Sequence, residues 1–401
     1  MIAGTSIDWR RNLVALYISV LIAVFGIGFL FAFIPLFLVN ELGITSQQEL
    51  AIWAGLSSTA FGVSRAITSP IWGAAADRFG RKVMLIRAMI GGGIAMGLVA
   101  AARQPLDVVL LTFLFGGVGG TTPIATAIAA RETPRPSVGF AVGAVSSASA
   151  LGLAVGPLVG SLLAITVGMR AMYLIGAFIY IAAVVPVVVL VRETRSTVGR
   201  IKRPSVLTAI RNAPPRAREA IGALLVTQTL FYMTNNSAQP LYTLQILRLD
   251  PSGAAVLTGV AFGAASLATA VAAFTYSWPA RRVGYRGVGV AVAILGAGAL
   301  VTVAAAPIAI VAVVGIAAFG LTRGVLIPAI ASMISMEAPT EIQATALGMN
   351  VTAMAVGVTI GPLIGGGVAA LTNAPAGLTA SAALSLLLAV IIGTRVREPA
   401  R

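Results

Sequence analysis

Cysteine and histidine are both absent from this chain of 401 residues. Without cysteine there is no disulfide, thiolate nucleophile or thiolate metal site. Without histidine there is no imidazole base, no histidine metal ligand and no Ser-His-Asp triad. These absences argue against a zinc enzyme or a nucleophilic hydrolase, and we expect a protein that is not an enzyme and that carries no cofactor or metal.

Charged residues are also scarce, at 10% of the chain, whereas hydrophobic residues make up 58% and the mean hydropathy is +0.98. Soluble domains carry charge on about a quarter of their residues, so the composition indicates a membrane protein. The net charge is nevertheless +15. Taken alone, that excess would suggest nucleic acid or an acidic membrane surface as a partner.

Twelve apolar segments account for the hydropathy, and each is long enough to cross a bilayer as a helix. They are continuously apolar rather than alternating, which favours helices over a barrel. The first is too long for a cleaved signal peptide, and we expect none. The predicted spans are Leu13–Val39, Leu50–Ala76, Val83–Ala102, Val108–Ala130, Gly139–Val167, Ala171–Val191, Ile221–Leu247, Ala254–Ala280, Gly287–Ala305, Ile308–Met333, Ala344–Leu371 and Ala376–Thr394.

The basic residues lie mostly on one side of these spans. If the N-terminus is cytoplasmic, 21 of the 27 Lys and Arg face the cytoplasm and three, Arg103, Arg170 and Arg248, face the opposite side. This asymmetry follows the positive-inside rule. We therefore expect a multi-pass protein of the cytoplasmic (inner) membrane, with both termini cytoplasmic, the lipid bilayer as partner and no nucleic acid. The basic segment 192–218 is predicted to be a cytoplasmic linker, either solvated near anionic headgroups or regulatory.

The parts of the chain on either side of this linker are related by an internal repeat with an offset of 205 residues. Pro123, Glu132 and Pro134 recur as Pro328, Glu337 and Pro339. In the fifth and eleventh spans the matched positions are Gly143, Gly152, Gly156, Pro157 and Gly160, and Gly348, Gly357, Gly361, Pro362 and Gly365. We predict an all-α membrane protein of two pseudo-symmetric six-helix halves, residues 1–191 and 219–401, that rock about a central site.

The glycines of the fifth span form a stripe of small residues. Gly152, Gly156 and Gly160 recur every four residues, so they share one helix face and permit close helix packing. Pro157 removes a hydrogen-bond donor and permits a bend. Two interpretations remain open: the stripe serves helix packing alone, or its bends shape a gate between the halves.

The loop after the second span carries the most specific motif, with fixed positions at Gly73, Asp77, Arg78, Gly80, Arg81 and Lys82. It resembles the signature loop of the major facilitator superfamily, G-x-x-x-D-R-x-G-R-K. The run from Gly143 to Gly160 resembles that superfamily's antiporter motif. The N-terminal half, with Ile34-Pro35-Leu36 and the stretch 69–73, is similar to bacterial multidrug-efflux members of the drug:proton antiporter family. The resemblance covers essentially all twelve spans.

This resemblance implies a role for the loop in gating. Asp77 is expected to latch a cytoplasmic gate, partly against the N-terminal end of the eleventh span, and Glu132 is expected to pair with Arg81. The alternative is that the loop only anchors the topology. The equivalent loop after the eighth span keeps Gly284 but has Arg281 in the place of Asp77, which predicts an asymmetric gate.

Proton coupling does not follow from the family resemblance alone. Every carboxylate falls in a loop or at a span end, and Thr112 stands where many drug:proton antiporters have an arginine. The remaining candidates for protonation are Glu49, Asp77 and Asp107.

Two cations do lie deep in predicted spans, and intramembrane charges are functional candidates. Arg323, in the tenth span, is expected to face a central water-filled cavity, where it binds an anionic group or makes a structural hydrogen bond. Arg65 lies near the midplane, and the second span is expected at the interface between the halves. The predicted substrate-binding residues are Arg323, Tyr232, Asn235, Asn236, Gln239, Tyr242, Phe29, Phe113 and Thr112, although aromatic residues in such spans also pack in the core or face lipid.

These features together predict a monomeric secondary transporter that exports small amphiphilic compounds or drugs by alternating access, in exchange for protons. One alternative is an exporter or facilitator of organic anions, with Arg323 as the counter-charge. A second alternative is a membrane receptor or scaffold without transport activity.

We expect Asp77→Asn to reduce substrate flux in reconstituted vesicles, because an amide cannot supply the charge of an ionic latch. Membrane insertion should be unchanged, since the basic residues that orient the loop remain. Flux equal to that of the unaltered chain would rule out the gating role.

Overall fold

The computed structural model describes residues 8–193, 214–339 and 342–398, and the regular structure in these ranges is entirely helical. Most of the predicted linker and the whole of Glu341 therefore lie outside the described residues. The helices are α1 (Trp9–Asn40), α2 (Gln47–Phe79), α3 (Arg81–Val99), α4 (Pro105–Val118), α5 (Thr121–Glu132), α6 (Val138–Thr166), α7 (Met169–Ala182), α8 (Val184–Leu190), α9 (Pro215–Leu249), α10 (Ala254–Thr275), α11 (Ser277–Val283), α12 (Tyr285–Ala304), α13 (Ala309–Glu337), α14 (Gln343–Leu371) and α15 (Ala374–Arg395).

The helices reproduce the twelve predicted spans, with small changes at their ends. Across the described ranges, ten helical segments are long and apolar enough to cross a membrane. The second and seventh spans are not among these ten, although α2 and α9 are helices of 33 and 35 residues. Both carry polar side chains within the bundle, Arg65 in α2 and Asn235 in α9 among them, and this lowers their overall hydropathy.

Three spans that were predicted to be continuous helices are interrupted. The fourth span breaks between α4 and α5, where Gly120 has a φ of 118°, a backbone conformation that favours glycine. The sixth and eighth spans break at Ala183 and Tyr276. In these two spans a proline, Pro186 or Pro279, lies four residues after the end of the preceding helix. Because proline has no N–H group, the carbonyl of the last residue of that helix has no helical donor.

The glycine stripes hold each half together. A Cβ added at Gly156 would lie 2.5 Å from the carbonyl oxygen of Phe25 in α1, and one at Gly361 would lie 2.6 Å from that of Met233 in α9. The stripe of α6 thus packs on α1, and the stripe of α14 packs on α9, within the same half in both cases. In lipid, such close backbone approach is a main source of helix association.

The two halves contact each other through α2 with α14 and through α6 with α10. A Cβ at Gly55 in α2 would lie 3.1 Å from the Pro362 carbonyl oxygen, and one at Gly259 in α10 would lie 2.7 Å from that of Pro157. A hydrogen bond also joins α9 to α1, in which the Thr243 hydroxyl donates to the Ala32 carbonyl at 3.0 Å. These contacts lie from the middle of the bundle to the end that is farther from the basic loops.

At the end that carries the basic loops, which we call the basic end, helices that meet the opposite half elsewhere have open space around them. Within the described ranges, a Cβ added at Gly73, Gly143 or Gly348 would have no heavy atom of another segment within 4 Å. Gly143 and Gly348 lie in the first turns of α6 and α14, two helices that contact the opposite half farther along their length. The central region is therefore open toward the basic end and closed at the other.

We expect Gly156→Ala and Gly361→Ala to destabilise the protein by about 1–3 kcal/mol each, because the added methyl group overpacks a backbone contact. Gly143→Ala and Gly348→Ala are matched controls in the same two helices, where space is open and alanine is the better helix former. Thermal unfolding in detergent measures the difference. Equal melting temperatures for the two pairs would contradict close packing at the stripes.

Candidate functional site

One arginine from each half lies in the central region of the bundle. The Arg65 guanidinium in α2 lies over the Phe61 ring, 5.8 Å from its centroid, and is within electrostatic reach of Tyr180 and Tyr232. Arg323 in α13 is within electrostatic reach of the same Tyr232 and of Tyr242. Tyr232 in α9 is therefore near enough to both cations to interact with each of them electrostatically.

Neither arginine has a counter-charge in the described part of the chain. Both are partly buried, and no hydrogen bond or ion pair of either guanidinium is present there. The carboxylates within the described ranges all lie in the first or last two turns of a helix or in a connection. The expectation that no acid lies mid-span therefore agrees with the geometry, and the groups near the two arginines are neutral aromatic rings.

Two of these carboxylates already accept hydrogen bonds from neighbouring residues. Asp107 accepts hydrogen bonds from the backbone N–H groups of Arg103 and Gln104, at 2.9 and 3.1 Å. Asp250 accepts from the Gly253 N–H and the Ser252 hydroxyl, and these bonds hold the pKa of its carboxyl below its usual range. Both groups stabilise local turns in the ionised form.

An aromatic cluster adjoins Arg65. Phe31, Phe61, Phe115 and Tyr180 pack edge-on or stacked with ring centroids 4.7 to 6.3 Å apart. The Tyr180 and Thr121 hydroxyls are 3.0 Å apart, which ties the cluster to the start of α5. The cluster supplies an apolar wall in the N-terminal half.

Two residues predicted to bind substrate are unavailable for it. Phe29 is fully buried in the core of the N-terminal half, against Gly160 of α6 and Gly176 of α7. Thr112 is also fully buried, and its hydroxyl donates to the Val109 carbonyl of its own helix. The structure therefore does not bring either side chain to the central site, because sequence position gives the helix but not the face that meets a neighbour. Phe113 is 43% exposed and lies outside the aromatic cluster.

The polar side chains along α9 differ in their hydrogen bonding. Asn236 donates to the Tyr232 carbonyl within its own helix at 2.8 Å. Asn235 and Gln239 are partly exposed, and neither has a hydrogen-bond partner in the described residues. Tyr242 is 5% exposed, its hydroxyl has no partner there, and its ring lies 6.2 Å from that of Phe262. Hydrogen-bonding groups without a partner among the described residues are thus present along α9, and of these Tyr242 lies within electrostatic reach of Arg323.

The signature loop is held to its own half by Glu193, which follows α8. Gly80 makes the turn with a φ of 96°. The Glu193 carboxylate then accepts from the backbone N–H groups of Arg81 and Lys82, at 2.9 and 2.8 Å. A carboxylate at this position satisfies the free N–H groups and the positive end of α3.

The basic side chains of the loop also bond within the N-terminal half. Lys82 donates to the carbonyls of Val188 and Val191 at 3.0 and 2.6 Å, and Arg81 donates to that of Ala127 at 2.8 Å. The expected pair of Arg81 with Glu132 is not found among the described residues, and the acid that meets Arg81 is Glu193, at the backbone N–H. Glu132 forms an ion pair with its neighbour Arg131, at 3.8 Å.

Asp77 is exposed and has no hydrogen bond or ion pair with any described residue. The expected latch against the N-terminal end of the eleventh span, now α14, is not formed in this structure. The reason is geometric, because the halves are apart at the basic end, where Asp77 lies.

The C-terminal half repeats the cap that Glu193 makes. Glu398, after α15, accepts from the backbone N–H groups of Tyr285 and Arg286 at 2.7 and 2.9 Å, beside the turn at Gly284. Sequence reasoning missed both glutamates. The signal was present, since Glu193 and Glu398 are separated by the same 205 residues as the matched glycines.

We expect Glu193→Gln to speed hydrogen exchange at the backbone N–H groups of Arg81 and Lys82 by about fivefold, because the helix end loses its negative charge. Glu398→Gln should act in the same way on Tyr285 and Arg286. Glu219→Gln is the control, since that carboxylate is exposed and, among the described residues, meets only Arg397. Unchanged exchange at these four N–H groups after the first two substitutions would contradict the capping role.

The comparisons with known proteins agree with this architecture. The sequence matches the family model of the Major Facilitator Superfamily over residues 16–321 and 224–401. Multidrug resistance protein MdtG of Yersinia enterocolitica is 29% identical over 375 residues, which cover 92% of this chain and 89% of that protein. MdtG of Escherichia coli is 28% identical over 373 residues, which cover 91% and 90%.

Solved structures share the fold at low sequence identity. The nucleoside transporter NupG superposes with a TM-score of 0.76 at 13% identity, over 95% of this chain and 98% of that chain. A bacterial homologue of the human lysosomal transporter Spinster, in an inward-facing and unoccupied conformation, gives 0.72 at 16%, over 99% and 100%. The human organic anion transporter MFSD10 gives 0.67 at 17%, over 96% and 99%.

A family match that spans nearly the whole chain, on a bundle of two repeated six-span halves, confirms the fold class expected from the repeat. It also confirms a multi-pass membrane protein that is a transporter rather than an enzyme. The chain belongs to the major facilitator superfamily.

Proposed function

We propose that this protein exports small amphiphilic compounds from the cytoplasm by alternating access. The observation that carries the proposal is a central site, lined by both halves, that is open at one end of the bundle and closed at the other. Aromatic rings with a few hydrogen-bonding groups suit varied ligands. The relatives named multidrug resistance proteins support a range of compounds rather than one.

We infer that the basic end is cytoplasmic, which places both termini inside and the chain in the inner membrane. The charge asymmetry supports this orientation. The structure then represents the inward-open state, in which a compound enters the central site from the cytoplasm. The halves, residues 1–191 and 219–401, act as the moving bodies and 192–218 as the connection between them.

In this proposal the gate closes when the halves approach at the basic end. Asp77 then meets the N-terminal end of α14, whose free N–H groups favour a negative charge. Glu193 keeps the loop fixed to its own half, so that Asp77 moves with that half as a unit. The glycine stripes keep each half rigid during the movement, which makes the antiporter-type motif a packing element with an indirect role in gating.

Exchange against protons is part of the same proposal. It needs a carboxylate that changes its surroundings between states. Asp77 meets this condition, because it is unpaired in the open state and lies where the gate closes. Asp107 is a poorer candidate because its oxygens cap α4, and Glu49 lies in the first turn of α2 at the closed end.

The test is transport by the purified full chain in proteoliposomes, with flux of a fluorescent amphiphile and internal pH recorded together. We expect a proton gradient to drive flux of the amphiphile in the opposite direction to the protons. Asp77→Asn should lose most of this flux. Flux without proton movement would remove the coupling and leave the exporter. Absence of flux for neutral, cationic and anionic amphiphiles alike would leave a receptor or scaffold.

Because the chain has no cysteine, movement of the halves can be followed with introduced labels. Gly143→Cys with Gly348→Cys places two labels in open space at the basic end, one on each half. We expect their separation to shorten in a fraction of molecules when an amphiphile is added. A single unchanging distance with and without compound would contradict alternating access.

A further inference from the structure

We propose that the preferred substrates are organic anions, and that the acidic group binds between Arg65 and Arg323 beside Tyr232. This inference rests on the proposed export function and specifies its substrate class. The ligand would be a carboxylate, sulfonate or phosphonate attached to an apolar, preferably aromatic, body.

The first argument is the missing counter-charge. An arginine stays ionised even when buried, and a charge inside a membrane protein is costly unless it is paired or lies in a water-filled cavity. Arg65 has the Phe61 ring and two tyrosines near it, and Arg323 has two tyrosines. Neutral rings interact only weakly with a cation, so a bound anion would provide the strong interaction that both sites lack.

The second argument is the contrast with other arginines of the bundle. Arg170 pairs with Glu41 at 2.7 Å and also donates to the Ala100 carbonyl. Arg87 stacks on the Trp72 ring, 3.5 Å from its centroid, and its Nη2 reaches the Gly119 carbonyl at 3.5 Å. This fold therefore supplies partners where a cation is structural. Arg65 and Arg323 are the exceptions among these four, and both are central.

The third argument is the position of the two charges. Arg65 belongs to one half and Arg323 to the other, and Tyr232 lies within electrostatic reach of both. An anion in contact with both guanidinium groups would bind the two halves at once. Its affinity would then depend on the separation of the halves, and a substrate shifts a conformational equilibrium only through such a difference in affinity.

The surroundings suit the remainder of such a ligand. The Phe61 ring, which lies under Arg65, belongs to the aromatic cluster of the N-terminal half. On the other side, the Tyr242 hydroxyl is buried without a partner, and Gln239 is partly exposed. An acidic group at the arginines would thus place an attached apolar body against rings and leave hydroxyl and amide groups free to orient it.

The experiment compares three compounds with one aromatic body: naphthylacetic acid, its amide, and naphthylethylamine. Equilibrium binding is measured on the full chain in a neutral detergent, at a pH where the acid is ionised. We expect the acid to bind tightest. Arg65→Gln and Arg323→Gln should each weaken binding of the acid by about tenfold or more, the loss expected for one charged hydrogen bond.

Three controls separate charge recognition from loss of folding. The amide should bind both glutamine variants within about twofold of the unaltered chain, which shows that the site is intact. Arg65→Lys and Arg323→Lys should retain most of the binding of the acid, since they keep the charge. Arg87→Gln removes an arginine that already has partners and should leave binding of the acid unchanged.

Equal affinity for acid, amide and amine, or unchanged binding of the acid in both glutamine variants, would overturn the proposal. Competition by phosphatidylglycerol micelles at the same arginines would also overturn it, because the site would then belong to a lipid headgroup. If the amide or the amine is transported in proteoliposomes while the acid is not, the anion site fails and the exporter remains. If none of the three is transported, the proposed function itself fails.

Discussion

Backbone contact at the glycine stripes is the interaction on which the rest of the bundle depends. In lipid, two apolar helix faces gain little from meeting, because the acyl chains are equally apolar. Helices associate when small residues let their backbones approach, as Gly156 does against Phe25 and Gly361 against Met233. Each stripe fixes two long helices of the same half against each other.

The contacts between the halves are of the same kind but are restricted in position. Gly55 and Gly259 meet backbone atoms of the opposite half, while Gly143 and Gly348, near the starts of α6 and α14, meet no other segment in the described part of the chain. A pair of rigid units joined at one end leaves space at the other. The central site exists because of this arrangement, and the unpaired state of Asp77 has the same cause.

Charge has two separate roles in this chain. Many of the basic residues lie outside the predicted spans. One of them, Lys82, bonds within its own half, with its side chain to the Val191 carbonyl and with its backbone N–H to Glu193. The two deep arginines take no part in this. Arg65 and Arg323 lie in polar, aromatic surroundings without an acid, and this difference in environment carries the anion proposal.

Much of this architecture could be predicted from the sequence. The spans depend on local hydropathy, and the repeat is visible in the spacing of the glycines. The helix breaks at Ala183 and Tyr276 were also accessible, because Pro186 and Pro279 remove a helical donor four residues beyond the break. The 205-residue offset likewise pairs Glu193 with a second capping glutamate. These features were missed, although the sequence contains them.

The sequence by itself determined the number of spans, the side on which their basic loops lie and the division into two halves. Each of these depends on the composition of a contiguous segment or on a fixed spacing along the chain. The tertiary structure alone decided that Phe29 is core, that Glu193 rather than Glu132 meets Arg81 at its backbone N–H, and that Tyr232 lies within electrostatic reach of both Arg65 and Arg323. Such pairings depend on which face of one helix packs against another, and in a bundle held by backbone contact, residues far apart in the chain become neighbours through packing that no local pattern specifies.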